Sequence, residues 1–421
     1  MARKMKDSGI EWIGEIPEGW SIARGKHILT LLQRAVFPTD GVITCFRDGE
    51  VTLRSNRRED GFTVSLKEIG YQGIEPGDLV VHGMDGFAGS IGISDSRGKS
   101  SPVLVVLDSS QDKKYLMYYL RSMAYNNVFL ALSTGIRVRS CDLKWNKLAD
   151  LLYLVPPIVE QHKLVSFLDE KCSEIDAMLS KTRASIEEYK KLKQAVITQA
   201  VTKGVRGERE MKDSGVEWIG EIPKEWICEK IKYATSISRG LFNHRPRNDE
   251  RYYNGKYPFI QTGDVANATK YIVSYSQTLN ELGKTVSKEF PKGTLTMTIA
   301  ANVGDVAILN FDAYFPDSVV GFIPNKNIRT LYLFYVFSAM KDEFTRTAIK
   351  STQLNLNIDR VKETFIPVTL NVNEQCEIEN YLESKCAEID GLIAKKEQLV
   401  KELESYKKSL IYEVVTGKRE V

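Results

Sequence analysis

The sequence contains one sixteen-residue segment twice, and this repeat is the strongest constraint on the fold. It reads MKDSGIEWIGEIPEGW at Met5–Trp20 and MKDSGVEWIGEIPKEW at Met211–Trp226, with 13 of the 16 positions identical. A second pair follows, LDEKCSEID at Leu168–Asp176 and LESKCAEID at Leu382–Asp390. The chain therefore holds two copies of one frame, and each copy encloses a body whose sequence has diverged from the other.

The segments that contain the second repeat predict two long helices. Apolar residues step by four and three positions from Leu168 to Tyr189, and the pattern returns 214 positions later from Leu382 to Leu403. This is the heptad spacing of a coiled coil. After one phase slip the predicted seam continues through Leu192 and its counterpart Tyr406.

Prolines and glycines bound these helices. Prolines 156, 157 and 367 precede them, where proline is tolerated, and Gly204 and Gly417 mark their ends. Each helix runs roughly 40 residues, or about 60 Å. A single apolar seam cannot bury itself, so the two helices are expected to pair. Separate docking of each helix on its own body is the alternative.

Both bodies predict mixed α+β structure. The β-rich runs GDLVVHG and SPVLVVL in the first body, and GTLTMTIAANVGDVAILN in the second, each precede a helical run. The same order of elements predicts one fold for both. The predicted domains are an N-terminal body over 1–157, a spacer helix over 158–207, a second body over 208–367 and a second spacer helix over 368–421.

Several function classes are not supported by the sequence. At 421 residues the chain is long enough for two domains or more. It shows no apolar run of membrane-spanning length and no signal peptide, so we expect no membrane association and a cytoplasmic location. The six cysteines form no C-x-x-C pair, and the four histidines lack metal-ligand spacing.

Catalytic and nucleotide-binding motifs are also missing. The stretch Gly92–Ser100 resembles a phosphate-binding loop, but five residues separate its glycines and a strand-like run follows. No amino-methyltransferase motif, no G-x-S-x-G elbow and no nuclease-like carboxylate cluster is present. We therefore predict that the chain itself has no catalytic residue, bound cofactor or metal.

The two bodies carry most of the excess positive charge. Residues 21–150 hold 17 Lys and Arg against 14 Asp and Glu, and residues 227–365 hold 18 against 13. Arginines cluster in FRDGEVTLRSNRREDGF, STGIRVRS and SRGLFNHRPRNDERYY. Arginine suits contact with guanine edges and phosphates, so these clusters predict DNA binding, with ordinary solvated surface as the alternative. The candidate DNA-binding residues are Arg47, Arg54, Arg57, Arg58, Arg137, Arg139, Arg239, His244, Arg245 and Arg247.

These motifs give the sequence a close resemblance to one family. MKDSGIEWIGEIPEGW, PPIVEQHKLVSFLDEKCSEID and the charged helix after them resemble the specificity subunit of Type I restriction–modification systems. GDLVVHGMDGFAGSIGISD and TIAANVGDVAIL…FPDSVVGFIP are similar to the target-recognition domains of that family. In the second copy, IPVTLNVNEQ keeps only one proline, but Glu374-Gln375 still matches Glu160-Gln161.

The resemblance implies an α+β protein. Two mixed α/β target-recognition domains would be joined by two long helices that form an antiparallel coiled coil with pseudo-two-fold symmetry. Each domain would read one half of a bipartite, asymmetric site in double-stranded DNA, and the helices would set the gap between the halves.

The resemblance also implies partners. Two methyltransferase (modification) subunits would dock on the repeated frame and carry S-adenosylmethionine on their own chains. Motor–nuclease (restriction) subunits that use ATP and magnesium would complete the complex. The chain would then supply the DNA address and none of the chemistry.

Two other functions remain open on sequence alone. A non-catalytic coiled-coil scaffold that carries two protein-binding adaptor domains has the same helices and the same diverged bodies. A self-contained restriction enzyme is the weaker alternative, because the catalytic motifs are missing from the sequence.

Overall fold

The chain folds into two compact units. The computed structural model describes residues 3–57, 68–131, 143–347, 349–350 and 354–421. Unit 1 comprises Met1–Arg183 and Glu397–Val421, and unit 2 comprises Ala184–Lys396. Two long helices, α4 (Ile158–Lys203) and α11 (Val372–Val415), each contribute residues to both units. Both units contain helices and strands, so the predicted α+β class is confirmed.

Unit 1 contains short strands and three helices besides the ends of α4 and α11, within its described residues. Its strands are β1 (Met5–Asp7), β2 (Glu15–Pro17), β3 (Ser21–Arg24), β4 (Leu29–Leu31), β5 (Ile43–Cys45), β6 (Val51–Leu53), β7 (Gln72–Ile74), β8 (Leu79–His82), β9 (Ile91–Ile93), β10 (Gly98–Ser100), β11 (Leu104–Ser109) and β12 (Leu152–Val155). Its helices are α1 (Lys113–Tyr125), α2 (Val128–Ala131) and α3 (Trp145–Asp150).

Unit 2 contains a larger set of strands. These are β13 (Met211–Asp213), β14 (Glu221–Pro223), β15 (Ile227–Lys230), β16 (Thr235–Arg239), β17 (Tyr253–Phe259), β18 (Tyr271–Ile272), β19 (Gln277–Leu279), β20 (Glu289–Phe290), β21 (Leu295–Thr298), β22 (Val306–Leu309), β23 (Ala313–Tyr314), β24 (Val319–Pro324), β25 (Ile349–Lys350), β26 (Leu354–Asn355) and β27 (Phe365–Val368). Its helices are α5 (Ile231–Ala234), α6 (Thr262–Asn267), α7 (Glu281–Thr285), α8 (Thr330–Ala339), α9 (Lys341–Thr347) and α10 (Ile358–Glu363).

The central sheets of the two units share one strand order. Unit 1 has the antiparallel order β4-β11-β8-β9, and unit 2 has β16-β24-β21-β22 with the same antiparallel pairings. Unit 2 adds β18, parallel to β22, and a second sheet with the order β19-β17-β23-β20. The bodies thus keep a common sheet and differ in what surrounds it.

The central strand β8 of unit 1 carries three successive apolar residues because both of its faces are covered. Side chains alternate across a strand, and in β8 Leu79 and Val81 join the core that holds the helices, whereas Val80 joins a second core with Ile43 and Val51. This explains why GDLVVHG reads as a continuous apolar run and not as an alternating one.

The ends of the long helices follow the sequence prediction. Helix α4 begins directly after the two prolines, at Ile158. Gly204 and Gly417 follow the last helical turns with φ of 73° and 71°, and the Gly204 amide donates to the Ala200 carbonyl at 3.1 Å. Glycine adopts this left-handed conformation without a steric penalty.

The heptad seam is buried over part of its predicted length. Leu168, Cys172, Ile175 and Leu179 lie in the core of unit 1, and Leu382 and Cys386 lie in the core of unit 2. The prediction was wrong at Leu192 and Tyr406, which are each 49% exposed. Near the C-terminal ends of both helices the buried face widens to adjacent pairs, such as Ala200-Val201 and Val414-Val415, because the tryptophan segments also pack there.

In unit 1 the repeated tryptophan segment is anchored to the first turn of α4. Strands β1 and β2 form a hairpin, and the buried Trp20 follows it. The Trp20 indole Nε1 donates to Glu160 Oε2 at 3.0 Å, and Arg3 donates to the other carboxylate oxygen. The next residue, Gln161, accepts from the amide of Asp112, which caps α1. The Glu-Gln pair therefore joins the hairpin, α4 and α1.

Unit 2 repeats these contacts one by one. The Trp226 Nε1 donates to Glu374 Oε2 at 3.1 Å, and Arg209 Nη1 donates to Glu374 Oε1 at 2.6 Å. Gln375 accepts from the amide of Arg329, the N-cap residue of α8, at 2.8 Å. The duplicated residues of the sequence thus make duplicated hydrogen bonds, and this explains why the segment is preserved in both copies.

Glu374→Ala should destabilise unit 2 more than Glu160→Ala destabilises unit 1. The Glu374 side chain is 1% exposed, so its loss leaves the Trp226 indole without its acceptor and removes the buried carboxylate that pairs with Arg209. Removal of one partner of such a buried pair costs about 3–5 kcal/mol. The Glu160 side chain is 24% exposed, so water replaces it more readily. Urea unfolding of the full chain, followed by tryptophan emission, measures both changes.

Glu377→Ala is the matched control for this pair. Its carboxylate lies close in sequence to Glu374 but forms an exposed ion pair with Arg206, and such pairs contribute little to stability. The unfolding midpoint should therefore barely move. Equal shifts for the alanine variants at positions 160 and 374 would show that burial of the carboxylate does not set its contribution.

Candidate nucleic-acid interface

One edge of the central sheet in each unit carries long loops, and we call it the loop edge. In unit 1 it consists of the loop 83–90, between β8 and β9, together with the segment that leads into β11 and the 46–50 turn between β5 and β6. Strand β8 ends opposite the start of β11, as His82 pairs with Leu104. The loop and the turn meet where Arg47 Nη2 contacts Asp85 Oδ1 at 3.1 Å.

Two of the described candidate arginines of unit 1, Arg47 and Arg57, lie at the 46–50 turn. The Arg57 guanidinium lies 4.3 Å from the centre of the Phe46 ring. It contacts Asp48 at 2.6 Å and Glu50 at 3.0 Å. Arg54 Nε donates to Thr44 Oγ1 at 3.2 Å. Carboxylates thus lie beside Arg57, and DNA contact by these arginines stays a prediction.

The Asp48 carboxylate is held in the charged form. Burial alone would raise the pKa of Asp48, but hydrogen bonds from Arg57 and from the Glu50 amide outweigh burial and lower that pKa. The same contact raises the pKa of the Arg57 guanidinium. The turn therefore presents arginine side chains whose orientation is set by neighbouring anions.

The loop edge of unit 2 is built from the same ends of the corresponding strands. Arg239, at the end of β16, pairs with Val320 near the start of β24, and β21 ends at Thr298 opposite Val319. The loops 240–252, 299–305 and 315–318 meet there. One contact between them is the hydrogen bond from the Leu241 amide to the Phe315 carbonyl, at 2.9 Å.

Three candidate arginines of unit 2 converge on Asp317. Arg247 Nη2 lies 2.6 and 2.8 Å from its two carboxylate oxygens. Arg245 approaches the same carboxylate to 3.9 Å, and Arg239 Nε donates to the Asp317 backbone carbonyl. The structure thus brings together residues that the sequence separates by 70 positions or more.

His244 is held apart from this carboxylate. Its ring stacks on Tyr252 with centres 4.0 Å apart, and its Nε2 lies 2.9 Å from Asp249 Oδ2. A hydrogen bond from Arg251 is the largest cause that lowers the pKa of Asp249. His244 therefore helps to fix the 240–252 loop, and its role as a DNA contact stays a prediction.

The remaining candidates, Arg58, Arg137 and Arg139, lie outside the described residues. The chain re-enters the described part of unit 1 at Leu143, whose amide donates to the Gly83 carbonyl at 2.9 Å. In unit 2 the amide of Leu356 donates to the Ile299 carbonyl at 2.8 Å. Both bonds lie at the loop edge of their unit.

Known proteins are similar to this chain in sequence and in fold. Residues 240–402 match the family model described as the Type I restriction modification DNA specificity domain. A putative type I restriction enzyme MjaX specificity subunit from Methanocaldococcus jannaschii is 23% identical, over 96% of this chain and 95% of its own. The chain is therefore similar in sequence to Type I restriction–modification specificity subunits.

Two solved structures share the fold of this chain. One comes from a study of complex assembly and conformational transition of the type I R-M system; it has a TM-score of 0.74 at 15% identity and covers 96% of this chain and 99% of its own. The HsdS subunit from Thermoanaerobacter tengcongensis has a TM-score of 0.50 at 14% identity, with 96% and 98% covered.

Sequence reasoning missed the acidic residues of the loop edges. Asp48 and Glu50 lie inside the arginine-rich stretch FRDGEVTLRSNRREDGF, so their proximity to the arginines gave a usable signal. Asp85 and Asp317 gave none, because each meets its arginine only through the fold. Within the described residues, no group of three or more His, Cys, Asp or Glu is arranged to hold a metal ion, and no helix is long and apolar enough to cross a membrane.

The loop 83–90 should loosen in acid because of His82. Its Nδ1 accepts from the amides of Met84 and Asp85 at 3.2 and 2.9 Å, which requires that nitrogen to be unprotonated. Burial lowers the pKa of His82. Because the pKa of His82 is lower in the folded protein than in the unfolded protein, His82 adds to the free energy of unfolding at pH values above its unfolded-state pKa of about 6.5. This contribution is lost as the pH falls through the folded-state pKa. The free energy of unfolding, measured by urea from pH 8 to 5, should show this loss.

His82→Asn is the control for this effect. An asparagine oxygen can accept the same two amides, as in an Asx turn, and it does not titrate. The stability of the natural protein should therefore fall relative to this variant between pH 7 and 5. Parallel curves for the two proteins would show that His82 does not sense pH.

Proposed function

We propose that the chain is a specificity subunit of a Type I restriction–modification system. In this proposal it reads a bipartite, asymmetric site in double-stranded DNA, and each loop edge contacts one half-site. The observation that carries the proposal is the contrast between frame and loops. The Trp20–Glu160 contact of unit 1 recurs in unit 2 as the Trp226–Glu374 contact. The arginine–carboxylate contacts of the loop edges differ, since Arg57 pairs with Asp48 in unit 1 and Arg247 pairs with Asp317 in unit 2. Two identical frames with different readers suit two different half-sites.

We further propose that α4 and α11 form an antiparallel coiled coil with pseudo-two-fold symmetry that sets the gap between the half-sites. In unit 1, Asp176 pairs with Lys407 at 2.6 Å, and Arg183 pairs with Glu404. In unit 2, Lys193 pairs with Asp390 at 2.6 Å. The pairs 176–407 and 390–193 exchange under the 214-residue offset of the repeat, which is the pattern of a two-fold axis between the copies.

The arginines supply two kinds of contact in this proposal. Phosphate contacts give affinity and register, whereas contacts to base edges give discrimination. Two readers joined by a stiff spacer bind far better than either reader alone when the spacing of the half-sites matches. The helices therefore contribute to specificity although they contact no base.

The chemistry belongs to partner subunits in this proposal. Two methyltransferase (modification) subunits dock on the repeated frame and carry S-adenosylmethionine, and motor–nuclease (restriction) subunits use ATP and magnesium. One methyltransferase per copy of the frame is the arrangement that a duplicated docking surface supports.

The test is to map methylated bases in a host that expresses this chain with its methyltransferase. We expect one split motif with a fixed gap, and we expect it to disappear when this chain is omitted. The triple variant Arg54→Ala, Arg57→Ala, Arg58→Ala should relax or abolish recognition at one half of the motif only. Arg206→Ala, which removes an arginine outside the loop edges, is the control and should leave the motif unchanged.

Two results would reject this function in favour of a protein scaffold. One is methylation at no defined split motif with the complete complex. The other is an unchanged motif in the triple arginine variant, provided that the variant still assembles with the methyltransferase.

Shortening both helices by seven residues should shorten the gap by about three base pairs. Seven residues keep the heptad phase and remove about 10 Å at about 1.5 Å per residue, which equals about three pairs at about 3.4 Å each. The equivalent deletions are residues 182–188 and 396–402. Deletions in one helix alone leave unequal partners and should lose the motif. An active double deletion with an unchanged gap would exclude the ruler.

A further inference from the structure

Asp317 places a negative charge among the candidate DNA-contact arginines of unit 2. Its carboxylate accepts two hydrogen bonds from Arg247 and lies 3.9 Å from Arg245. Arg239 donates to the backbone carbonyl of the same residue. A carboxylate here opposes phosphate binding, because it partly neutralises the arginines and repels the DNA backbone.

Stability does not explain this carboxylate. The Arg245, Arg247 and Asp317 side chains are 56%, 48% and 35% exposed. Exposed ion pairs of this kind contribute little to the free energy of folding. The geometry explains it better, since the contacts fix the directions in which the guanidinium groups point.

The orientation of Arg245 is fixed from a second side. Its Nη1 donates to the carbonyls of Phe242 and His244 at 2.7 and 2.8 Å. A long arginine side chain normally loses rotamer freedom on binding, and a side chain that is already held loses less. Arg245 and Arg247 are therefore preorganised before DNA arrives.

We propose that Asp317 is a positioning residue that holds Arg247 and Arg245 to read guanine in the half-site of unit 2. The inference rests on the proposed function and deepens it. Guanine offers two neutral acceptors, O6 and N7, which match the arginine fork. A neutral base edge tolerates the nearby carboxylate, whereas a phosphate is repelled by it. Asp317 thus shifts these arginines from backbone contact to base contact.

The experiment compares variants in the complete complex with the methyltransferase. The motif is first mapped with the natural chain, and duplexes are then made in which each base pair of the motif is changed singly. Binding to each duplex is measured for the natural chain, Asp317→Asn, Arg247→Lys and Glu363→Gln. The last is a matched control, because it neutralises one carboxylate beside two lysines, Lys230 and Lys232, outside the loop edge.

Asp317→Asn should lose at least tenfold of its discrimination at one or two G·C pairs in one half-site. Binding to the duplexes changed at those pairs should stay equal or become tighter, because a negative charge is removed. Arg247→Lys keeps the positive charge without the fork and should lose discrimination at the same pairs. Glu363→Gln should discriminate like the natural chain.

Three results would overturn this inference. An equal loss of binding to every duplex, with a lower melting temperature, would make Asp317 a structural residue only. Equally tighter binding to every duplex would make it a charge screen. Full discrimination in both Asp317→Asn and Arg247→Lys would exclude positioning, and the natural chain in the same assay shows whether the proposed function itself holds.

Discussion

The structure depends on two adjacent side chains in the first turn of each long helix, a glutamate and then a glutamine. The glutamate accepts a hydrogen bond from the indole N–H of the tryptophan segment. The glutamine accepts a hydrogen bond from the backbone amide of the N-cap residue of α1 in unit 1 and of α8 in unit 2. One helical turn thereby fixes a hairpin, a long helix and a central body. Since buried polar groups must find partners, changes in this set are penalised, most strongly where the glutamate is fully buried, as in unit 2, and the set is the same in both units. The surrounding sequence was free to diverge.

The loop edges follow the opposite rule. They carry charged residues that contact one another through exposed ion pairs, which contribute little to folding. Substitutions there leave the frame intact and alter the exposed surface. The proposed function requires this separation, because the methyltransferase partners would need a constant surface and the DNA target a variable one. Arg47, Arg57 and Arg247 are nevertheless each placed beside a carboxylate, so this part of the variable surface is ordered although it is not buried.

Much of the frame could be predicted from the sequence, because it depends on local rules. Helix α4 begins directly after two prolines, and a glycine with positive φ follows the last turn of each long helix, as the rules for helix ends predict. The seam from Leu168 to Leu179 is buried as its spacing predicts. The prediction was wrong at Leu192 because the spacing of apolar residues does not show which other segment packs against that part of the helix. Asp317 could not be predicted either, since it meets Arg247 only after three loops have come together. Asp48 and Glu50 could have been expected beside Arg57 because they are close to it in the sequence, but Asp85 and Asp317 could not.

Unit 1 is made from two distant pieces of the chain, and this has a consequence for synthesis on the ribosome. Its core includes Leu410, Val414 and Val415, and the Tyr115 hydroxyl donates to the Val415 carbonyl at 3.2 Å. Unit 2 is continuous from Ala184 to Lys396. The apolar surface of the body translated first therefore stays uncovered until the second body and the end of α11 have been synthesised. Premature release of the nascent chain would leave the first body unfinished while the second is complete.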